Sequence, residues 1–358
     1  MKRLIFCSIL ATTLLFSACS TDLDVVGDYK ETMVIYGLLD QAQDTQYVKI
    51  NKAFLGAGDA FTYAQIKDSV QFVNALNVVI TRIKNGAVIG SVTLSPTNKP
   101  KDTGIFYSPD QANAIYSFSS AANPGFLNTD SKYELTATNS ETGTVATATT
   151  SLISDISGFT NPVASGTTFS FVATGTVAIP NYPFNILWTS AKDARLYQVI
   201  LRLHYTDSTA TGGNDSLILD YTLPVMKTDN LNGGLNMAIY MKGRDFIKYI
   251  GNTLTDYPGL IRRKAGKVDL LLVAGSDELS NFMDVNTPST GIIQERPEYS
   301  NITNGLGLFS ARLNRTPVSR PMDGTTIDTL ACGQFTKNLK FLNSFNQVNG
   351  AGGPVICP

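Results

Sequence analysis

The sequence predicts a mainly β protein built as two β-sandwich domains, the second carrying one or two inserted helices. Three observations lead there. β-branched and aromatic runs of strand length recur along the chain, and turn-forming residues punctuate them at sandwich spacing. A Ser-, Gly- and Pro-containing break, SDISGFTNPVASG, divides the runs into two groups. The resulting plan is a leader over 1–18, a tether over 19–30 and a first sandwich over 31–155. Residues 156–182 form a linker or the first strand of the second domain, 183–345 the second sandwich with its helical insertion, and 346–358 a Gly-rich tail.

In the first group, ETMVIYGLLD and QYVKINKAFL are strands separated by the polar QAQDT. NALNVVITRIKNGAVIGSVTLSP is a hairpin. Val78, Ile80 and Arg82 face one way, Val79, Thr81 and Ile83 the other, and Asn85-Gly86 supplies a turn that needs positive φ. AIYSFSS adds a strand, and SKYELTATNSETGTVATATTSL adds two more joined around Thr142-Gly143. Strands at this density read as an immunoglobulin-like sandwich, although the Cys…Trp…Cys spacing of antibody domains is absent.

The second group opens with FNILWTSAKDARLYQVILRLHYTD. Trp188, Ala194 and Tyr197 lead into alternating Val199, Leu201 and Leu203, a pattern like the early strands of a fibronectin-type-III domain. DSLILDYTLPV, GLNMAIYMK, KVDLLLVAGS and GLGLFSARL continue the strands. Between them, Asp245 caps a helix whose Phe246, Tyr249, Ile250 and Leu254 share one face. SDELSNFMD is a second, shorter helix capped by Ser276. RRKAGK, Arg262 to Lys267, reads as a solvated basic turn before a strand.

The opening MKRLIFCSILATTLLFSACSTDLD speaks to location. Its apolar run from Leu4 to Ala18 is shorter than the roughly 20 residues a spanning helix needs, and it follows the positive Lys2 and Arg3. That is a secretory signal. Its end, FSAC, resembles the lipobox of bacterial lipoproteins, in which the cysteine thiol takes up diacylglycerol; Phe16 stands where leucine is usual. The expectation is a chain held to a lipid bilayer through acylated Cys19, since two or more acyl chains make such an anchor stable. The acidic STDLDVVGDYKE behind it is a tether. An ordinary signal peptide with Cys19 incidental is the alternative.

Composition narrows the partners. Lys plus Arg number 28 against 29 Asp plus Glu, and losing Lys2 and Arg3 with the leader widens the acid excess. No basic surplus is left to neutralise phosphates, which argues against nucleic acid. Cys332 and Cys357 remain beyond the leader. In an oxidising compartment they close a loop of about 25 residues, contributing about 3 kcal/mol; two free buried thiols are the rival.

Chemistry-bearing motifs are sparse, and no catalytic, metal or cofactor-binding residue is assigned. The single histidine, His204, lies mid-strand on a half-exposed face and lacks the multi-histidine company of common zinc sites. A glycosidase needs two carboxylates, and Asp277, Glu278 and Asp284, or Glu295 and Glu298, are the available groups; acids on loops are more often simply solvated. GAGDAF and NGLGLF do not complete a phosphate loop and read as a turn and as close strand packing. For binding, NKAFLGAGDAFTYAQ sets Phe54, Phe61 and Tyr63 in a loop-like stretch, where aromatics either plug a sandwich end or meet a sugar or a partner protein.

Several phrases together resemble an uncharacterised family of Bacteroidetes cell-envelope lipoproteins: the lipobox, VIYGLLD…YVKINKAFL, YELTATNSETG, LYQVILRLHY, GRDFIKYI and PEYSNITNGLGLFSAR. The resemblance implies an outer-membrane lipoprotein of the kind set beside TonB-dependent transporters, with no catalytic residues to carry over; the chain is expected to face the periplasm or the cell surface and to bind a ligand, a polysaccharide or an outer-membrane partner through loops at one end of a sandwich. The triplets at Asp68, Asp215 and Asp328 also resemble the O-glycosylation motif of such bacteria. The expected role is a non-enzymatic binding or accessory component of the envelope. An extracytoplasmic hydrolase and a structural or adhesive surface protein are the alternatives.

Overall fold

In the computed structural model the described residues are 31–53, 60–72, 74, 76–99, 113–156, 158–163, 165–173, 182–287 and 298–346. They are mainly β, in three sheets, none of them closed.

The largest sheet has nine strands. From the first half of the chain it takes β1 (Met33–Leu39), β2 (Thr45–Lys52), β5 (Ser95–Lys99) and β6 (Asn113–Ser119). From the second half come β11 (Leu196–Thr209), β12 (Asn214–Thr222), β13 (Met226–Lys227), β15 (Leu260–Gly275) and β16 (Gly305–Pro321). Their order is β12-β11-β15-β16-β1-β2-β6-β5, with β13 paired to β11. A four-stranded sheet, β4-β3-β7-β8, is formed by β3 (Asn77–Lys84), β4 (Ala87–Thr93), β7 (Lys132–Thr138) and β8 (Val145–Ser151). A three-stranded sheet, β14-β10-β9, is formed by β9 (Phe159–Asn161), β10 (Pro183–Thr189) and β14 (Asn236–Lys242).

The strands form where alternation demands. On β1, Met33, Ile35 and Leu39 are buried; Val48 and Ile50 on β2, Val78 and Ile80 on β3, and Tyr133, Leu135 and Ala137 on β7 are buried likewise. These side chains belong to one hydrophobic cluster, which continues through Ile186 and Trp188 on β10, Val199 and Leu201 on β11, and Leu270 and Leu272 on β15. The expected β3–β4 hairpin turns on Asn85 and Gly86, at φ 51° and 79°. Gly143, at φ 73°, turns β7 into β8 as expected.

The join between the halves is a parallel one. β1 runs alongside β16 in the register Met33↔Gly305 to Leu39↔Ala311, so the sheet crosses the break at 154–166 without interruption. Gly307 makes the approach possible: it sits at φ 110°, and a Cβ there would stand 2.1 Å from the carbonyl oxygen of Ile35.

Among the described residues five helices accompany the strands: α1 (Ala60–Gln65), α2 (Lys67–Val70), α3 (Gly243–Thr253), α4 (Asp277–Asn286) and α5 (Gly324–Cys332). α3 and α4 are the two expected helices, with two adjustments: Ser276 holds the cap position of α4, but its hydroxyl makes no cap hydrogen bond and goes to Glu278 and Ser310 instead. Asp245 does not cap α3; Lys242 holds the cap position in extended backbone, and Asp245 falls in the first turn, where its charge opposes the helix dipole. Phe246, Ile247 and Ile250 are buried, and Phe246 meets Phe171 at 4.8 Å between ring centroids. α5 is unexpected from the sequence. Its Thr-rich GTTIDTLAC has weak helix propensity, but Asp323 accepts a hydrogen bond from the Thr326 amide at 2.9 Å, and Thr326, Thr329, Leu330 and Ala331 are buried.

The basic stretch Arg262 to Lys267 is not a solvated turn. It lies inside β15, and Arg263 is buried on an ion pair with Asp207 of β11, a partner far away in sequence. Cys332, which ends α5, is disulfide-bonded; the other cysteines lie outside the described residues.

Candidate functional site

The outer face of β1 is apolar as well as its inner face. In VIYGLL the outward positions are Val34, Tyr36 and Leu38, and Leu308 of β16 stands level with Tyr36. Such a strand needs cover on both sides, and α4 supplies part of it. The helix is fastened to β16 at its start: the Ser276 amide donates to the carbonyl of Ala311 at 3.1 Å, and the hydroxyls of Ser276 and Ser310 are 2.6 Å apart. Phe282 then meets Tyr36 edge-on, at 6.1 Å between centroids and 76° between planes.

That contact divides an open groove into two cavities. The larger, about 470 Å³, has Tyr36, Leu38 and Leu308 on the sheet side and Leu279, Phe282 and Met283 on the helix side. The smaller, about 330 Å³, continues past Tyr36 and Phe282 to Val34, Val285, Leu306 and Tyr299. Both fall within the size of small-molecule sites. Much of the lining is open to solvent: Tyr36 is 45%, Met283 41% and Leu306 42% exposed.

Polar groups gather at one end of the larger cavity. Asp40 is buried, and its Oδ1 accepts from the Ala42 amide at 3.0 Å. Its Oδ2 accepts from Asn314 Nδ2 at 2.8 Å and lies 3.7 Å from Arg312 Nε. Gln46 is spent as well: its Nε2 donates to the carbonyls of Asp40 and Gln43, and its Oε1 accepts the Asp40 amide. In the smaller cavity, burial pushes the Tyr299 phenol up, a hydrogen bond with Asn281 opposes this, and the charges of Glu278 and Asp277 add to the rise.

A second polar group lies on the outer face of β11, β15 and β16. His204 Nε2 is 2.6 Å from Asp269 Oδ2, Ser319 donates to Asp269 Oδ1, and Lys267 Nζ reaches the same oxygen at 3.1 Å. Burial pushes Asp269 up, but the hydrogen bonds from Ser319, His204 and Lys267 outweigh it and hold the carboxyl below its ordinary 3.8. The order Ser–Asp–His is not that of a nucleophilic triad, in which histidine stands between serine and acid. His204 is a half-exposed strand residue, as the sequence predicts.

The remaining sequence candidates scatter. Asp277 pairs with Arg195 at 3.2 Å, Asp284 pairs with Lys227, and Glu278 takes the Ser276 hydroxyl. Glu295 lies outside the described residues, and Glu298 lines the smaller cavity. Among the described lining residues, each cavity therefore has one carboxylate, Asp40 or Glu298. Tyr63 is half-buried in α1, while Phe54, the side chain of Phe61, Cys19 and Cys357 lie outside the described residues. Of the glycosylation-like triplets, the one at Asp328 is closed off, because Thr329 is buried with its hydroxyl donating to the Thr325 carbonyl.

The groove is absent from the sequence reading, yet VIYGLL carried a sign of it. A half-exposed antiparallel strand alternates apolar with polar residues, and this one does not. What could not be read was which element covers the second face, since α4 arrives from more than two hundred residues away. No protein-family model and no curated protein matches the chain.

Proposed function

We propose that the protein is a non-enzymatic binding component of the bacterial outer membrane, anchored in the bilayer through acylated Cys19 and facing the periplasm or the cell surface. The observation that carries the binding role is the open, aromatic-walled groove between α4 and the outer face of β1 and β16. Exposed apolar surface of this kind is unfavourable to leave in water and marks a site of recognition. A hydrolase is less well supported: a glycosidase needs two free carboxylates in one cleft, the two cavities of the groove offer one described carboxylate each, and in the separate cleft that holds Asp130 and Asp193 the Asp130 carboxylate is taken up by Arg82 and Lys84.

The anchor rests on the FSAC segment and the acidic tether, and kinship with Bacteroidetes envelope lipoproteins rests on the phrases quoted above. A bridge from Cys332 to Cys357 accords with an oxidising compartment. We also read the packing of β3, β4, β7 and β8 into the same core as β1, β2 and β6 as sandwich-like, with the second group of strands sharing the long layer. A TonB-dependent transporter or a polysaccharide is the kind of envelope partner such a protein serves.

The test places a photo-crosslinking residue at Tyr47, on the groove rim, in living cells. Adducts that form with the parent chain and vanish on Met283→Lys are the expected result. Adducts indifferent to that change, or none at all, overturn the binding role. Cys19→Ser tests the anchor separately: the protein is expected to leave the membrane fraction.

A further inference from the structure

Resting on the groove as a binding site, we infer that its ligand is an amphipathic monocarboxylate, an extended apolar chain ending in a single carboxylate held by Arg312. What points to it is the charge at the polar end of the larger cavity. A sugar is recognised by several side chains with unspent donors and acceptors. Here Gln46 is consumed by Asp40, Gln43 and Ser120, and both oxygens of Asp40 are already accepting. Gln43 and Thr45 line the cavity as neutral groups, and the guanidinium of Arg312 is the one cation among its described lining residues. It is 44% exposed, its one ion pair among the described residues is the 3.7 Å approach of Nε to Asp40, and its two terminal nitrogens carry no hydrogen bond there.

A guanidinium presents a planar fork that matches a carboxylate, and a carboxylate is the head group it holds best in two parallel bonds. Nε of Arg312 lies 3.7 Å from Asp40, itself pinned by Asn314 and the Ala42 amide, and Arg312 lines the cavity. The rest of the trough suits a hydrocarbon. Leu38, Leu308, Leu279 and Met283 line it, and beyond the Tyr36–Phe282 contact the second cavity adds Val34, Val285 and Leu306 beside the polar Glu298 and Tyr299.

The test is calorimetric titration of the full mature chain with dodecanoate, with dodecanol and with a neutral oligosaccharide. Dodecanoate is expected to bind at one site and dodecanol at least about tenfold more weakly, the difference being the fork–carboxylate pair. Arg312→Gln is expected to bring dodecanoate down to the level of dodecanol, and Arg312→Lys to restore part of the gap. Met283→Glu is expected to abolish both. Equal affinity for acid and alcohol, or a gap that survives Arg312→Gln, overturns the proposal. The comparison of acid with alcohol on the unaltered chain holds even if a variant fails to fold. Oligosaccharide binding that Tyr36→Ala abolishes, without any for dodecanoate, overturns the ligand class and leaves the groove as a binding site. Binding of dodecanoate unaffected by Tyr36→Ala and Met283→Glu overturns both.

Discussion

Arg263 and Asp207 form a two-pronged ion pair in the interior: Nε donates to Oδ1 at 2.7 Å and Nη2 to Oδ2 at 2.9 Å, with the side chains 2% and 1% exposed. The guanidinium also stands over the rings of Tyr205 and Phe341 and donates to the Leu339 carbonyl at 3.3 Å. The backbone of Arg263 pairs with the segment at 340–342, its amide donating to the Lys340 carbonyl and its carbonyl accepting the Leu342 amide. One residue thus fastens β15 both to β11 and to the chain that follows α5.

Asp207→Ala is expected to destabilise the protein by about 3–5 kcal/mol, because it strands a buried cation. The double change Asp207→Leu with Arg263→Met is expected to recover part of that loss and not all, since the Leu339 carbonyl loses its donor. Urea unfolding of the three proteins checks both statements.

Gly307→Ala is expected to separate β1 from β16. The new methyl group would meet the Ile35 carbonyl oxygen, and the φ of 110° is a conformation that alanine adopts only at a cost of about 1–3 kcal/mol. Amide hydrogen exchange is the direct measure. Protection should fall across 33–39 and 305–311, while the four-stranded sheet keeps its own.

Asp269 should contribute to acid sensitivity. Its carboxyl lies below 3.8 in the folded chain, so the folded state favours the ionised form. That stability is present above pH 3.8 and is lost as pH falls through the lowered folded-state value. Arg202 acts on Asp220 in the same direction, chiefly through its hydrogen bonds. Asp269→Asn is expected to be less stable at about pH 6, with the gap from the parent narrowing toward about pH 2. Thermal unfolding across that range reads it; a gap of constant size refutes the assignment.

Tyr197 and Tyr133 should ionise late. Burial pushes both phenols above 10, and the hydrogen bonds of Tyr197 with Ala191 and of Tyr133 with Asn128 oppose this only in part. A raised folded-state value means that the associated stability is complete below pH 10 and falls away as pH rises through it. Ultraviolet titration is expected to show these phenolates forming after those of exposed tyrosines. Phenylalanine at either position should remove one late-titrating group.

Cys332→Ser is expected to cost about 3 kcal/mol if the closed loop is the one of about 25 residues ending at Cys357. Peptide mapping under non-reducing conditions should return a fragment joining the two cysteines. A fragment joining Cys332 to another cysteine contradicts that pairing.

Local pattern carried most of the secondary structure. The β3–β4 hairpin follows from two residues that accept positive φ between alternating runs, and α3 and α4 follow from apolar spacing and first-turn acids. Where the reading failed, a distant partner had changed the local rule. α5 forms against its threonine-rich propensity because Asp323 caps it and its inner face is buried. Arg263 sits mid-strand because Asp207 compensates its charge across the sheet.

The sequence by itself determined that this is a chain of strands, where most of them lie, and which residues turn inward, because alternation and turn chemistry act over a few neighbours. Only the tertiary structure decided that β1 lies parallel to β16, that α4 covers the outer face of that pair and leaves a groove, and that Arg312 and Asp40 meet in its lining. Those are relations between segments hundreds of residues apart, set by which buried faces and charges compensate one another, and no local pattern encodes them.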